Sequence, residues 1–238
     1  MNIRKKILTR CGALLTAVLV LAPTALAAEA EIPYIPQTVP AAQLAPADQR
    51  GQEDWQLLLV NPWHTVPEGY EIKLATLSNG LQVDERIYDD LDDMLSDCRE
   101  AGLNPIVCSA YRTEATQTRL YRNKVARVRA SGVPEDRVEA EAARWVAKPG
   151  TSEHQTGLAL DIVAAGYQIL DEEQEDTAEQ KWLMENSWKY GFILRYPSEK
   201  SDITGIGYEP WHYRYVGKAA AADIYRTGVC LEEHLSQE

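Results

Sequence analysis

Two stretches of the chain hold the residue types from which hydrolytic chemistry can be built. Ser152-Glu153-His154-Gln155-Thr156-Gly157-Leu158-Ala159-Leu160-Asp161 supplies one imidazole and one carboxylate. Glu209-Pro210-Trp211-His212 supplies a second imidazole, with a carboxylate three residues before it. Two imidazoles and one carboxylate are the protein ligands of a catalytic zinc, which keeps its fourth position open for water. His154, Asp161 and His212 are therefore the candidate ligands of one Zn2+ per chain. Glu209 stands where a general base for that water is wanted. No His-Glu-x-x-His run occurs, so the usual helical zinc protease is excluded. Alone, His154 and Asp161 would read as a hydrogen-bonded structural pair; in company with Glu209 and His212 they read as a site.

The pairing of S-x-H-x-x-G-x-A-x-D with E-P-W-H resembles the zinc D-alanyl-D-alanine carboxypeptidases of the VanY type, relatives of the hedgehog-type zinc fold. The likeness continues through Ser109-Ala110-Tyr111-Arg112, through Tyr190 to Pro197 and through Tyr213 to Gly217, and covers the chain from about residue 61 to 235. The resemblance implies a D,D-carboxypeptidase that removes the C-terminal D-alanine from peptidoglycan stem pentapeptides by metal-activated water. It also implies substrate contacts at Arg112, Gln117 and Ser152. Arg112 is the expected catalytic cation, because a guanidinium stays charged and can grip an oxyanion or a carboxylate. Its spacing alone would equally suit a surface ion pair. Arg214 shares a strand face with His212 and could support it or touch substrate. The competing activities are an L,D-carboxypeptidase acting on tetrapeptide stems, a peptidoglycan endopeptidase, and a non-catalytic zinc-containing wall-binding module. Retention of Glu209 beside all three ligands argues against the last.

These residues need elements to position them. Leu158 to Val163 alternates as a strand does, with Leu158, Leu160 and Ile162 facing one way and Ala159 and Asp161 the other. Gly157 permits positive φ before it, and Ala159 leaves room beside the carboxylate. Trp211 to Val216 predicts a second strand, which carries His212, and Pro210 biases Glu209 toward extended backbone. A strand over Ile106 to Ala110 delivers Arg112, and Thr113 caps a helix to about Ala130 that carries Gln117. A helix after Pro134 buries Val138, Ala142, Trp145 and Val146. An amphipathic helix is expected from Asp84 to Ala101, with Asp89, Asp90, Asp92 and Asp93 on its solvated face. Further on come a Thr177-capped helix to Gly191, a strand from Phe192 to Arg195, and a helix from Lys218 stopped by Gly228. Trp55 to Val60 reads as an edge strand. Strands and helices without regular alternation predict an α+β fold, with a mainly antiparallel sheet flanked by helices.

Composition bounds the remainder. A formal charge of -12 and 45% hydrophobic residues describe an acidic globular protein, and nucleic acid is not an expected partner. Residues 1–27 carry basic side chains to Arg10, an apolar run from Cys11 to Leu26 and small residues at the end. They read as a signal peptide, or as an N-terminal membrane anchor, since the run nears the roughly 17 residues a spanning helix needs. Residues 28–52 form a Pro/Ala-rich linker and 53–238 the zinc carboxypeptidase domain. The expected location is extracytoplasmic, secreted or anchored at the outer face of the cytoplasmic membrane. The expected partners are peptidoglycan stem peptides, and nothing in the sequence asks for an oligomer. Cys98, Cys108 and Cys230 are an odd set, in which Cys98 and Cys108 could bridge or stay free. His64, among turn residues, reads as a structural loop histidine.

Overall fold

The computed structural model describes residues 55–236, so the leader and linker expected over 1–27 and 28–52 lie outside the described residues. Strand β4 (Ala159–Ala164) is buried along its whole length. One face sends Leu160 and Ile162 into the core, and the other carries Asp161. It lies between β3 (Pro105–Ser109) and β6 (His212–Tyr215), and β5 (Phe192–Leu194) closes the sheet beyond β6. Every pairing is antiparallel. Asp161 is the direct cross-strand partner of His212, which puts both side chains on one face, with Cβ atoms about 5 Å apart. On its other edge Asp161 meets Ser109 across a register shift between Val107 and Ser109; such a bulge re-aims the strand end, here the one leading to Arg112. The architecture is α+β with an antiparallel sheet, as expected.

The helices cover this sheet. Helix α1 (Tyr88–Glu100) buries Leu91, Met94, Leu95 and Cys98 at helical spacing and ends before Gly102, whose φ is +85°. Its expected start at Asp84 is corrected. Gln82–Asp84 is strand β2, paired with β1 (Leu74–Thr76), and Asp84 instead caps a short 3-10 turn by accepting from Arg86 N at 2.9 Å. Nor is Asp90 merely solvated, since it accepts from Tyr215 Oη and pairs with Lys218. Helix α2 (Glu114–Ala130) starts at Thr113, whose hydroxyl accepts from Thr116 N, and α3 (Glu135–Ala143) follows Pro134. Trp145 and Val146 fall beyond the end of α3, and the Trp145 ring lies against Gly207, where a Cβ would come within 2.8 Å of it. Thr177 caps α4 (Ala178–Asn186). Short α5 (Ser201–Thr204), α6 (Lys218–Thr227) and α7 (Leu231–Ser236) complete the chain.

Trp55 to Val60 forms no strand. The carbonyls of Gln56 and Leu58 are taken by Arg214 Nη2 at 2.9 and 2.8 Å, so a side chain satisfies what a neighbouring strand would have. The three described cysteines are free. Among the described residues no helix is long and apolar enough to cross a membrane.

Gly157 joins the site loop to β4 with φ +71°, and a Cβ there would sit 2.9 Å from the backbone nitrogen of Asp84. Gly157→Ala adds left-handed strain of about 1–3 kcal/mol to that collision. A clear fall in thermal midpoint is expected, and an unchanged melt would contradict it.

Candidate metal centre and active site

His154 sits in a 3-10 turn, Glu153–Thr156, that runs into β4. Its Nδ1 lies 2.8 Å from the carbonyl of Ala110. A carbonyl only accepts, so Nδ1 carries the proton and the Nε2 lone pair is free. That Nε2 is 3.4 Å from Asp161 Oδ1, and His212 Nδ1 is 3.2 Å from the same oxygen. The three ligand atoms lie within 4.8 Å of one another, and all three residues are buried. A tetrahedral zinc with ligands at about 2.0–2.1 Å has ligand-to-ligand edges of about 3.3 Å, close to both measured separations. Asp161 Oδ2 accepts from Arg112 Nη2 at 2.7 Å, whereas Oδ1 is buried with no hydrogen-bond donor. A lone anionic oxygen between two imidazole nitrogens is what a cation satisfies, so the donor set fits the ion.

Burial and the neighbouring charges set the protonation of each group. Burial pushes His154 down to about 4, helped by the Arg112 charge, so it is neutral at pH 7. Burial also works against protonation of His212, but Asp161 and Glu153 outweigh it and hold the imidazole up to about 9. Burial would raise Asp161, yet His154 and Arg112 keep it well below the usual carboxylate range. Glu209, 7% exposed, is pushed by burial up to about 8, and its Oε2 lies 3.6 Å from His212 Nδ1.

Residues 80–218 match the VanY family, D-alanyl-D-alanine carboxypeptidase. A D-alanyl-D-alanine carboxypeptidase of Enterococcus faecalis is 47% identical over 196 residues, which span 82% of this chain and 71% of the relative. The chain belongs to the VanY family of D-alanyl-D-alanine carboxypeptidases. Two solved family structures superpose closely. VanYB in complex with D-Ala-D-Ala gives a TM-score of 0.72 at 47% identity, covering 77% of this chain and 99% of that one. A variant VanY D,D-pentapeptidase from a VanB-type resistance cassette, in complex with Zn(II), gives 0.70 at 48%, covering 76% and 99%.

The remaining residues singled out in the sequence meet around the same cleft of about 670 Å³, which is lined by Arg112, Gln117, Ser152 and Glu209. Arg112 is pinned from two sides: Nε and Nη2 donate to Ser109 Oγ at 3.0 and 2.8 Å, and its backbone nitrogen donates to the His154 carbonyl at 3.0 Å. Gln117 is fully buried. Its Nε2 donates to the Ala147 carbonyl at 2.7 Å, which leaves Oε1, an acceptor, without a partner. His64 stays outside the cluster, its Nδ1 2.9 Å from Asn61 Oδ1 in a turn.

Beyond Gln117, this VanY-family cleft also holds residues that sequence reasoning passed over. Gln117, Leu120, Lys124 and Arg127 recur at helical spacing and make one face of α2 a wall of the cleft. Lys124 Nζ lies 5.4 Å from the centre of the Trp145 ring. Neither Lys124 nor Arg127 has an ion-pair partner among the described residues. The repeat was visible in the sequence, but not which way that face points. Glu153, beside the first ligand, is fully buried between Arg195 and Arg214, and only the fold joins those three.

Proposed function

We propose that the chain releases the C-terminal D-alanine of peptidoglycan stem pentapeptides, with one zinc held by His154 Nε2, Asp161 Oδ1 and His212 Nδ1. The observation that carries this reading is the donorless Asp161 Oδ1, buried between two imidazole nitrogens with Glu209 alongside. When bound, zinc supplies Lewis acidity, making water acidic enough to lose a proton near neutral pH and polarising a carbonyl. Glu209 takes the proton of the attacking water and passes it to the departing amine of D-alanine. Arg112 steadies the oxyanion; its Nη1 has no partner among the described residues and its charge is permanent. Gln117 Oε1 accepts an N–H of the peptide and cannot hold a carboxylate, because both are acceptors. The terminal carboxylate then falls to Arg112, Ser152 and the α2 cations Lys124 and Arg127, which line the same cleft. The leader's composition supports export, so the domain works outside the cytoplasm, secreted or held at the outer face of the membrane.

Mass analysis of stem peptides tests the reading. Release of a single D-alanine from the free-acid pentapeptide is expected. Its C-terminal amide loses a charge-assisted contact worth about 1.5–3 kcal/mol, about 10- to 100-fold in kcat/KM. Equal rates on acid and amide would show that the carboxylate is not read. Faster turnover of the tetrapeptide would overturn the D,D assignment.

Metal uptake should also carry a pH signature. His212 is held protonated up to about 9 in the metal-free site and must give up that proton to become a ligand, whereas His154 is already neutral. Zinc affinity therefore rises with pH toward 9 and falls on acidification, with about two protons released per ion near pH 7, one from His212 and one from Glu209, which burial holds protonated up to about 8 without the metal. Calorimetry in buffers of different ionisation enthalpy measures this, and no proton release would contradict it.

A further inference from the structure

We propose that Glu153 is a positioning residue that holds His212 in the one tautomer able to present Nδ1 to the metal. The inference rests on the metal part of the reading above and adds a residue to it. Glu153 Oε1 accepts from Arg195 Nε and from Arg214 Nη1, each at 2.8 Å, and all three side chains are fully buried. Its other oxygen, Oε2, has no hydrogen-bond partner, and neither has His212 Nε2. The two orphans lie 3.5 Å apart. Buried polar atoms without partners are uncommon, and two that face each other are a donor and acceptor in waiting.

Charge settles which is the donor. Arg195 and Arg214, two permanent cations, both donate to Glu153 Oε1 at 2.8 Å with every side chain buried, so the carboxyl is their anionic partner and Oε2 can only accept. Were the proton on Nδ1, a bare Nε2 lone pair would face that carboxylate in a buried site, acceptor against acceptor. With the proton on Nε2, the pair attracts and the lone pair of Nδ1 points toward Asp161 Oδ1. His154 is set the opposite way, its Nδ1–H held by the Ala110 carbonyl. The site thus takes Nε2 from one histidine and Nδ1 from the other, and each choice is imposed by the partner of the nitrogen facing away.

The support for Glu153 reaches far from the sheet. Arg195 donates through Nη1 and Nη2 to Glu232 at 2.9 and 2.7 Å, and Asn61 donates to the same carboxylate at 3.0 Å. Arg214 spends its other donors on the carbonyls of Tyr215, Gln56 and Leu58. Two cations and two carboxylates balance, and Glu153 has no freedom to turn. An ion pair serving stability alone would share both carboxylate oxygens with the guanidiniums. This one leaves an oxygen for the imidazole.

The experiment uses zinc-loaded full-length protein with 15N-labelled histidine, read by long-range proton–nitrogen correlation. The expected spectrum has His212 protonated on Nε2 and metal-shifted on Nδ1, with His154 the reverse. His212 protonated on Nδ1 and bound through Nε2 would overturn the proposal, whatever the activity. Glu153→Gln keeps the size of the side chain and removes its charge, and should raise the zinc dissociation constant by about 10- to 100-fold. A folded Glu153→Gln protein that binds zinc within about threefold of wild type also overturns it. Should that variant fail to fold, the wild-type spectrum decides. Wild-type protein that binds no zinc would overturn the functional reading together with this one, whereas zinc bound through the wrong tautomer overturns only this one.

Discussion

Alanine in place of His154 or His212 strips the protein of zinc and leaves less than about a thousandth of the hydrolysis, since the metal's share of transition-state stabilisation is several kcal/mol. Losing a group that merely supports a ligand weakens metal binding about 10- to 100-fold, and losing one of three protein ligands must cost more. The remaining two donors, with one imidazole nitrogen and Asp161 Oδ1, leave too few bonds to hold the ion against water. Each substitution also takes away the group that faces a buried acceptor: the Ala110 carbonyl for His154, and Glu153 Oε2 for His212. A loss of stability of about 1–3 kcal/mol accompanies it. The core of Leu91, Met94, Leu160, Ile162 and Leu183 is untouched, so the variants should still melt cooperatively. Zinc content per chain, kcat/KM on pentapeptide and the melt separate metal loss from unfolding. Full activity in metal-free protein would end the zinc reading.

What could be read from the sequence, and what could not, follows the range over which each feature is determined. His154 and Asp161 are seven apart in one loop-to-strand unit, and alternation along Leu158 to Val163 already put Asp161 on the face away from the core. The pairing of Asp161 with His212 needed only that the two strands be neighbours, and they are. Features set by distant partners stayed hidden. Glu153 looks like an ordinary polar residue inside a motif; its burial is decided by Arg195 and Arg214, 42 and 61 residues away. Trp55 to Val60 has strand composition but gives its carbonyls to a buried guanidinium from the far end of the chain. Trp145 and Val146 continue the apolar period of α3, yet Trp145 leaves the helix to cover Gly207. Resemblance put Gln117 near the substrate, and it does line the cleft, but the direction of its amide depends on the Ala147 carbonyl 30 residues on.

Glu209→Gln separates binding from chemistry, and its expected result is a protein that holds zinc yet turns over at least about 10²-fold more slowly, the usual worth of a positioned general base. Glu209 is not needed as a ligand, because the two imidazoles and Asp161 Oδ1 already converge. Glutamine keeps the length and polarity of the side chain but cannot take a proton. In the metal-free site burial holds Glu209 up to about 8 and it shares its surroundings with a protonated His212. A dication on the same three ligands replaces the His212 proton and favours the ionised carboxylate, since a bound metal is the largest local charge and reverses such shifts. The base is therefore made ready by the metal itself. Its protonation switches activity off, so kcat/KM on pentapeptide should fall on the acidic side of its optimum, and Glu209→Gln should flatten that limb as well as lower the rate. The fall should appear in kcat and kcat/KM alike, because the proton moves only in the transition state. A rise in KM with kcat unchanged would make Glu209 a substrate contact, and a variant near wild type that keeps its acidic limb would place the base elsewhere.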